Sequence, residues 1–229
     1  MDSDCFKSQE KFSATFSRTL LCISAILIIV SCNKRSKWID VDPAFSKYVD
    51  AYTTGIVSKT TSIRIQLAED ANTTHEKGEV TKDELFNFSP FVKGKSYWLD
   101  ARTIEFKPDS YLKPDQQYEV SFKLGNVTRV PDKYRNFRFS IQTVRPSFKI
   151  TDEGLRSGNG KNRMFLTGEM QTADIEIGKD LEKLLMVTQN AKPLAVNWQH
   201  NEGAKSHIFT IENIERTASV GNLDIKWDG

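Results

Sequence analysis

Apolar residues recur at every second position in run after run between Ile63 and Ile141, and that period decides what the chain can build. Ile63, Ile65 and Leu67 alternate with Arg64, Gln66 and Ala68, and Phe86 and Phe88 with Asn87 and Ser89. Ile104 and Phe106 alternate with Glu105 and Lys107. Tyr118, Val120, Phe122 and Leu124 alternate with Glu119, Ser121 and Lys123, and Phe137, Phe139 and Ile141 with Arg138, Ser140 and Gln142. Successive side chains of a strand point to opposite faces, so each run reads as a strand with one face in a core. The breaks carry turn chemistry: Lys93-Gly94-Lys95, Lys107-Pro108-Asp109-Ser110 and Lys113-Pro114-Asp115. Proline there presets φ for the first turn position and has no N–H to give to a ladder. Short strands separated by such turns predict an all-β fold of the Ig-like sandwich kind.

Residues 42–52 admit two readings. Asp42-Pro43 suits the start of a helix with Phe45, Tyr48, Val49 and Tyr52 on one face. A strand over 48–52 is the reading we favour. Residues 71–84 are polar and irregular, a solvated loop.

Arg145-Pro146 marks the expected boundary between two domains, residues 40–145 and 146–229. Alternation restarts with Phe148 and Ile150, and residues 154–163 form a polar, glycine-rich loop. Strands are expected over 164–170 and 173–177. Leu181, Leu184 and Leu185 lie opposite Lys179, Glu182 and Lys183, a spacing that predicts one short helix over 179–187. Asn190-Ala191-Lys192-Pro193 turns into a strand ending at Trp198, and two more strands are expected over 207–211 and 222–227.

The amino terminus carries a different pattern. An apolar run, Leu20 to Val30, follows Arg18 and ends in Ile29-Val30-Ser31-Cys32. Small residues and then a cysteine are how bacterial lipoprotein signal peptides end. Residues 1–31 therefore read as a signal peptide, Cys32 as the lipidated first residue, and residues 32–39 as a tether. The competing reading, an uncleaved membrane helix, needs about 20 apolar residues, and residues 19–30 fall short of that. One feature departs from the pattern: Asp2, Asp4 and Glu10 balance Lys7, Lys11 and Arg18, where signal peptides are normally positive. Cys5 and Cys22 leave with the signal, so Cys32 is the single mature cysteine. No disulfide is then available, and apolar cores alone must stabilise the domains. The expected location is the bacterial envelope, anchored in the outer membrane and facing the periplasm.

The charges nearly cancel, 32 basic against 30 acidic, a net of +2. No field of either sign recruits nucleic acid or a cationic substrate. The stretch from Gly154 to Asn162 has five residues between its outer glycines Gly154 and Gly160, and Asn follows Lys161. A phosphate-binding loop needs four, then Ser or Thr, then a helix. His200, Glu202 and His207 lie close in sequence, with His200 and His207 on strands flanking a loop at 201–206. That placement suits either a weak metal site or a plain polar pair. His75 stands apart. Asp40 with Asp42, and Asp152 with Glu153, read as solvated acids, with calcium bridging as the competing reading. Trp98, Trp198 and Trp227 read as core residues. No nucleophile-elbow motif and no mature nucleophilic cysteine occur. The expectation is a protein that is not an enzyme and holds no cofactor and no metal.

The strands and turns together resemble a known family. Phe88-Ser89-Pro90, Val92, Gly94, Trp98, Asp100, Thr103, Phe106, Pro108, Leu112, Pro114 and Tyr118 are similar to the first macroglobulin-like domain of bacterial α2-macroglobulins. Thr53 to Ser58, leading into Ser62-Ile63-Arg64-Ile65, resembles that family's opening strands. Leu166-Thr167-Gly168, Thr172-Ala173-Asp174, Glu182-Lys183, Gln189-Asn190, Trp198, His207, Phe209-Thr210 and Trp227-Asp228-Gly229 resemble the second domain of the Bacteroidetes-type members, which are also envelope lipoproteins. The resemblance implies two tandem macroglobulin-like sandwiches and a part in trapping proteases. The chain carries neither a recognisable bait region nor a cysteine free to form a thioester. The expected role is therefore the amino-terminal, membrane-tethering structural part of such an inhibitor, not inhibitory by itself. Its expected partners are the membrane through Cys32, further macroglobulin-like domains, and proteases as targets of the whole inhibitor. The alternative is a stand-alone Ig-like binding lipoprotein using the loops at 71–84 and 154–163.

Overall fold

The computed structural model describes residues 37–160, 162–217 and 221–228. The expected signal peptide, Cys32 and the first part of the tether lie outside the described residues. Among those described, no helix is long and apolar enough to cross a membrane.

The period-two runs become strands. In the first half they are β1 (Val49–Tyr52), β2 (Gly55–Val57), β3 (Ile63–Leu67), β4 (Phe86–Ser89), β5 (Gly94–Trp98), β6 (Thr103–Pro108), β7 (Gln117–Phe122) and β8 (Phe137–Thr143). They form two four-stranded sheets, ordered β1-β3-β6-β5 and β2-β8-β7-β4. Between the sheets Ile63, Ile65, Ile104, Phe122, Phe139 and Ile141 are fully buried. The alternation put these side chains on the inner faces, and burying them is the main source of stability. Polar groups that enter this core are mostly satisfied, Gln117 Nε2 being a buried exception. Buried Thr143 donates its hydroxyl to the Lys113 carbonyl at 2.6 Å and accepts the Gln116 N–H at 2.9 Å. The Tyr118 hydroxyl accepts the Lys113 N–H at 3.0 Å, pinning the loop between β6 and β7.

In the second half the strands are β9 (Phe148–Ser157), β10 (Arg163–Thr172), β11 (Leu185–Gln189), β12 (Lys192–Pro193), β13 (Val196–Asn201), β14 (Ser206–Glu215) and β15 (Leu223–Trp227). The sheet β13-β14-β10-β9 faces the three-stranded sheet β12-β11-β15. Leu166, Leu185, Val187, Phe209, Ile211 and Ile214 form a second core. Trp198 and Trp227 are partly buried against it, and Trp98 is buried in the first. The chain is all-β and sandwich-like throughout its described part.

Several local expectations are corrected. A 3-10 helix over Pro43–Lys47 precedes β1, so the favoured strand holds over 49–52, and the helix reading holds only for its start, since Val49 and Tyr52 lie in the strand. Asp42 caps that helix, its carboxylate accepting the Ala44 N–H at 2.9 Å. Leu124 opens a 3-10 helix rather than ending β7. Gly94 and Lys95 lie in β5, not in a turn, with Gly94 opposite Pro108. The reason is close packing: a Cβ on Gly94 would stand 2.5 Å from the Phe106 ring and 2.4 Å from the Lys107 carbonyl oxygen. Gly94→Ala is expected to lower the unfolding free energy by about 1–3 kcal/mol, the usual cost of overpacking, as read by urea denaturation.

In the second half, residues 154–157 extend β9 instead of starting the loop, Leu155 and Arg156 pairing with Leu166 and Phe165. The helix at 179–187 shrinks to α1 (Gly178–Leu181) and a 3-10 turn, Glu182–Leu184. Leu185 and Val187 are instead buried in β11, paired with Trp227 and Ile225. β14 starts at Ser206 and runs on past Ile211 to Glu215. Residues 173–177 form no strand. Asp174 accounts for this in part, because its side chain takes the Ile175 N–H that a ladder would otherwise use.

Candidate functional site: a polar junction and a buried histidine pair

Asp174 lies where the two sandwiches meet and is almost fully buried. Its carboxylate accepts the Ser58 hydroxyl at 2.6 Å, the Lys59 N–H at 2.8 Å and the Ile175 N–H at 2.8 Å. Ser58 and Lys59 belong to the turn that follows β2, closed by a Thr61 N–H to Ser58 carbonyl bond. One carboxylate of the second sandwich thus caps a turn of the first. Beside it the Lys59 ammonium reaches Glu176 at 2.7 Å, with both side chains largely covered. Buried Thr172 donates its hydroxyl to the Asp174 carbonyl at 2.8 Å, and the Lys205 ammonium donates to the Ala173 carbonyl at 3.2 Å. Burial pushes the Asp174 carboxyl up. The bonds from Ser58, Lys59 and Ile175 and the nearby Lys205 charge more than offset this and hold it below the ordinary value. Its stabilisation is thus present above the unfolded carboxyl value, about 3.9, and is lost only as pH falls below it.

The histidines sit behind this junction. The turn Glu202–Lys205 joins β13 to β14, and the Asn201 side chain accepts the Ala204 N–H at 3.1 Å inside it. It is shorter than the 201–206 loop expected, because Asn201 and Ser206 still pair. His200 therefore lies directly opposite His207. Their Nδ1 atoms are 3.0 Å apart. His200 Nε2 reaches Glu182 Oε1 at 3.2 Å, and its ring stacks on Trp198 at 15°. Gly178 lies against the same ring, where a Cβ would come within 2.4 Å of it. That contact lets the backbone around α1 rest on the imidazole. The Glu202 carboxylate accepts the Gly178 N–H at 3.0 Å. His207 is completely buried, and its Nε2 has no hydrogen-bond partner.

These contacts fix the tautomers. The Glu182 carboxylate only accepts, so His200 carries its hydrogen on Nε2 and offers a lone pair on Nδ1. His207 must then donate from Nδ1, which leaves a bare lone pair on its buried Nε2. Burial and the facing His200 push the His207 pKa down, more than Glu202 and Glu176 push it up.

The geometry gives a direct polar pair where the sequence left open a pair or a weak metal site. Among the described residues, no group of three or more His, Cys, Asp or Glu side chains is placed to hold a metal ion. His75 is in the first sandwich, stacked on Trp98 with ring centroids 4.0 Å apart. The glycine-rich loop leads into β10, so no helix follows it. Sequence reasoning assigned no role to Ser58, Lys59, Asp174, Glu176, Gly178 or Glu182. Ser58 and Asp174 lie 116 positions apart, and no local pattern marks such a bond.

No protein-family model matches the chain, and no curated protein matches it. Among solved structures it is similar to L,D-transpeptidase 3 from Mycobacterium tuberculosis in complex with a faropenem-derived adduct. That match has 11% identity and a TM-score of 0.31 over 53% of this chain and 46% of the other. An L,D-transpeptidase from Mycobacterium tuberculosis H37Rv matches with 11% identity and a TM-score of 0.32, over 69% and 61% of the two chains. The chain thus spans about half the length of the first of these. Likenesses of this size carry no activity over to this chain.

Proposed function

We propose that this chain is a lipid-tethered structural base: two sandwiches braced at their junction and held to an envelope membrane through Cys32. In this reading it is the amino-terminal part of an envelope protease inhibitor of the α2-macroglobulin kind. The observation that carries it is the Asp174 carboxylate, buried between the sandwiches and capping the Ser58-Lys59 turn. Such a bond holds the two sandwiches together at one point, as a base that transmits position requires. The sequence supports the tether through the apolar run that ends at Ser31-Cys32.

The base is not an inhibitor by itself. Trypsin mixed with an excess of the purified chain is expected to keep its activity on both a small peptide and a protein substrate. Loss of activity on the protein substrate alone would mean that this chain traps proteases unaided, against the reading.

A second reading, a stand-alone binding lipoprotein, is favoured by one surface. Phe91 and Val80 are 76% and 51% exposed. They border a recess of about 270 Å³ beside β5 that also includes Phe106 and Lys95. Specific capture of one envelope protein by the chain, lost in Phe91→Ser, would favour that reading over the base.

A further inference from the structure

The segment from Asp174 to Glu182 carries the junction, and three carboxylates hold it. Glu176 takes the Lys59 ammonium, Glu202 takes the Gly178 N–H, and Glu182 takes His200. Two of these, Glu202 and Glu176, also act on His207. The β10 partner of His207 is Met170, Glu169 is engaged with the Ser206 hydroxyl, and the Lys205 ammonium is engaged with the Ala173 carbonyl.

One proton added to the histidine pair has two places to go. If it enters His207, the new N–H sits on Nε2. If it enters His200 at Nδ1, that N–H must donate to His207 Nδ1, and the His207 hydrogen moves to Nε2. Either way, keeping the bond between the rings places an N–H on His207 Nε2, a buried nitrogen that has no partner. A buried, charge-bearing donor without an acceptor is strongly disfavoured. The carboxylates whose charges act on His207 are Glu202 and Glu176, and both are already in use. Drawing Glu202 toward His207 competes with its bond to the Gly178 N–H, and drawing Glu176 competes with its bond to the Lys59 ammonium.

We propose that the His200–His207 pair is an acid-sensitive latch: protonation draws Glu202 or Glu176 onto His207 and loosens the 174–182 segment from the first sandwich. The latch acts in mildly acidic conditions, between the ordinary histidine value of about 6.5 and the ordinary carboxyl value of about 3.9. Asp174 stays ionised through that window. The sign is fixed by the depressed His207 value: the unfolded chain binds the proton more readily, so stability falls as pH drops below about 6.5. The inference rests on the junction being a brace, as proposed above.

Hydrogen exchange of the full chain in detergent tests it, read at the Lys59 and Gly178 amides and corrected for intrinsic rates. Both amides donate to carboxylates of the junction. Protection is expected at pH 7.5 and should fall by up to about tenfold by pH 5.5, an opening cost lowered by up to about 1.4 kcal/mol. His207→Phe fills the buried site without a titrating nitrogen and should abolish the fall. Full protection at both pH values overturns the latch and leaves the brace intact. No protection at pH 7.5 overturns both. An equal fall in His207→Phe assigns it to another group and overturns the latch. Ring nitrogen shifts of the wild-type chain add a check that needs no variant. His207 should take its proton over the same pH range in which protection is lost, and a His207 that stays neutral through that range contradicts the latch.

Discussion

Cys32→Ala is expected to abolish incorporation of labelled palmitate and to move the protein from the membrane pellet to the soluble fraction. The apolar run and its Ser31-Cys32 end hold two thiols, and Cys22 precedes the expected cleavage point, which leaves Cys32 as the expected attachment site. A diacylglyceryl group brings two chains, and each buried CH₂ contributes about 0.8 kcal/mol, so anchoring by that group is stable where a single chain is marginal. The effect is all or none, because Cys5 and Cys22 precede the expected cleavage point. Equal labelling of wild type and Cys32→Ala would remove the tether from the proposed function. Loss of label with the protein still in the pellet would point to an uncleaved apolar anchor instead.

Asp174→Ala has the second large expected effect. It strips the acceptor from the Ser58 hydroxyl and from the Lys59 and Ile175 N–H groups together. Bonds to a charged acceptor are worth roughly 1.5–3 kcal/mol each, and the carboxylate's own burial opposes them, so a net loss of about 2–4 kcal/mol is expected. Asp174→Asn does not restore the junction. One oxygen still accepts from Ser58 and Ile175, but the amide nitrogen then faces the Lys59 N–H, donor against donor. Urea denaturation should place Asn between wild type and Ala. A change below about 0.5 kcal/mol in Asp174→Ala, the size of an ordinary surface substitution, would show that the bond braces nothing.

The strands were legible wherever one face is buried and the other wet. β3, β6, β7 and the first part of β8 follow directly from alternation, because burial itself writes that pattern. Residues 173–177 mislead for the same reason. Ala173, Ile175 and Ile177 alternate with Asp174 and Glu176, yet the two acids are spent on Ser58, Lys59 and the Lys59 ammonium. Leu181, Leu184 and Leu185 have helical spacing, but only Leu181 is in the helix, and Leu185 starts a strand whose partner, β15, lies some 40 positions on. The histidine pair was half legible. A seven-residue separation across a turn predicts that the rings face each other, but not that Glu182 fixes their tautomers. The junction left no local trace, because its partners are brought together only by the meeting of two separately built cores.

Nitrogen-15 relaxation of the chain released from the membrane by Cys32→Ala tests the brace most directly. Residues of β3, β6, β7 and β8 should report the same overall tumbling time as residues of β10, β13 and β14, and Asp174→Ala should split that time into two shorter ones. Two separate tumbling times in the protein with Asp174 intact would contradict the brace.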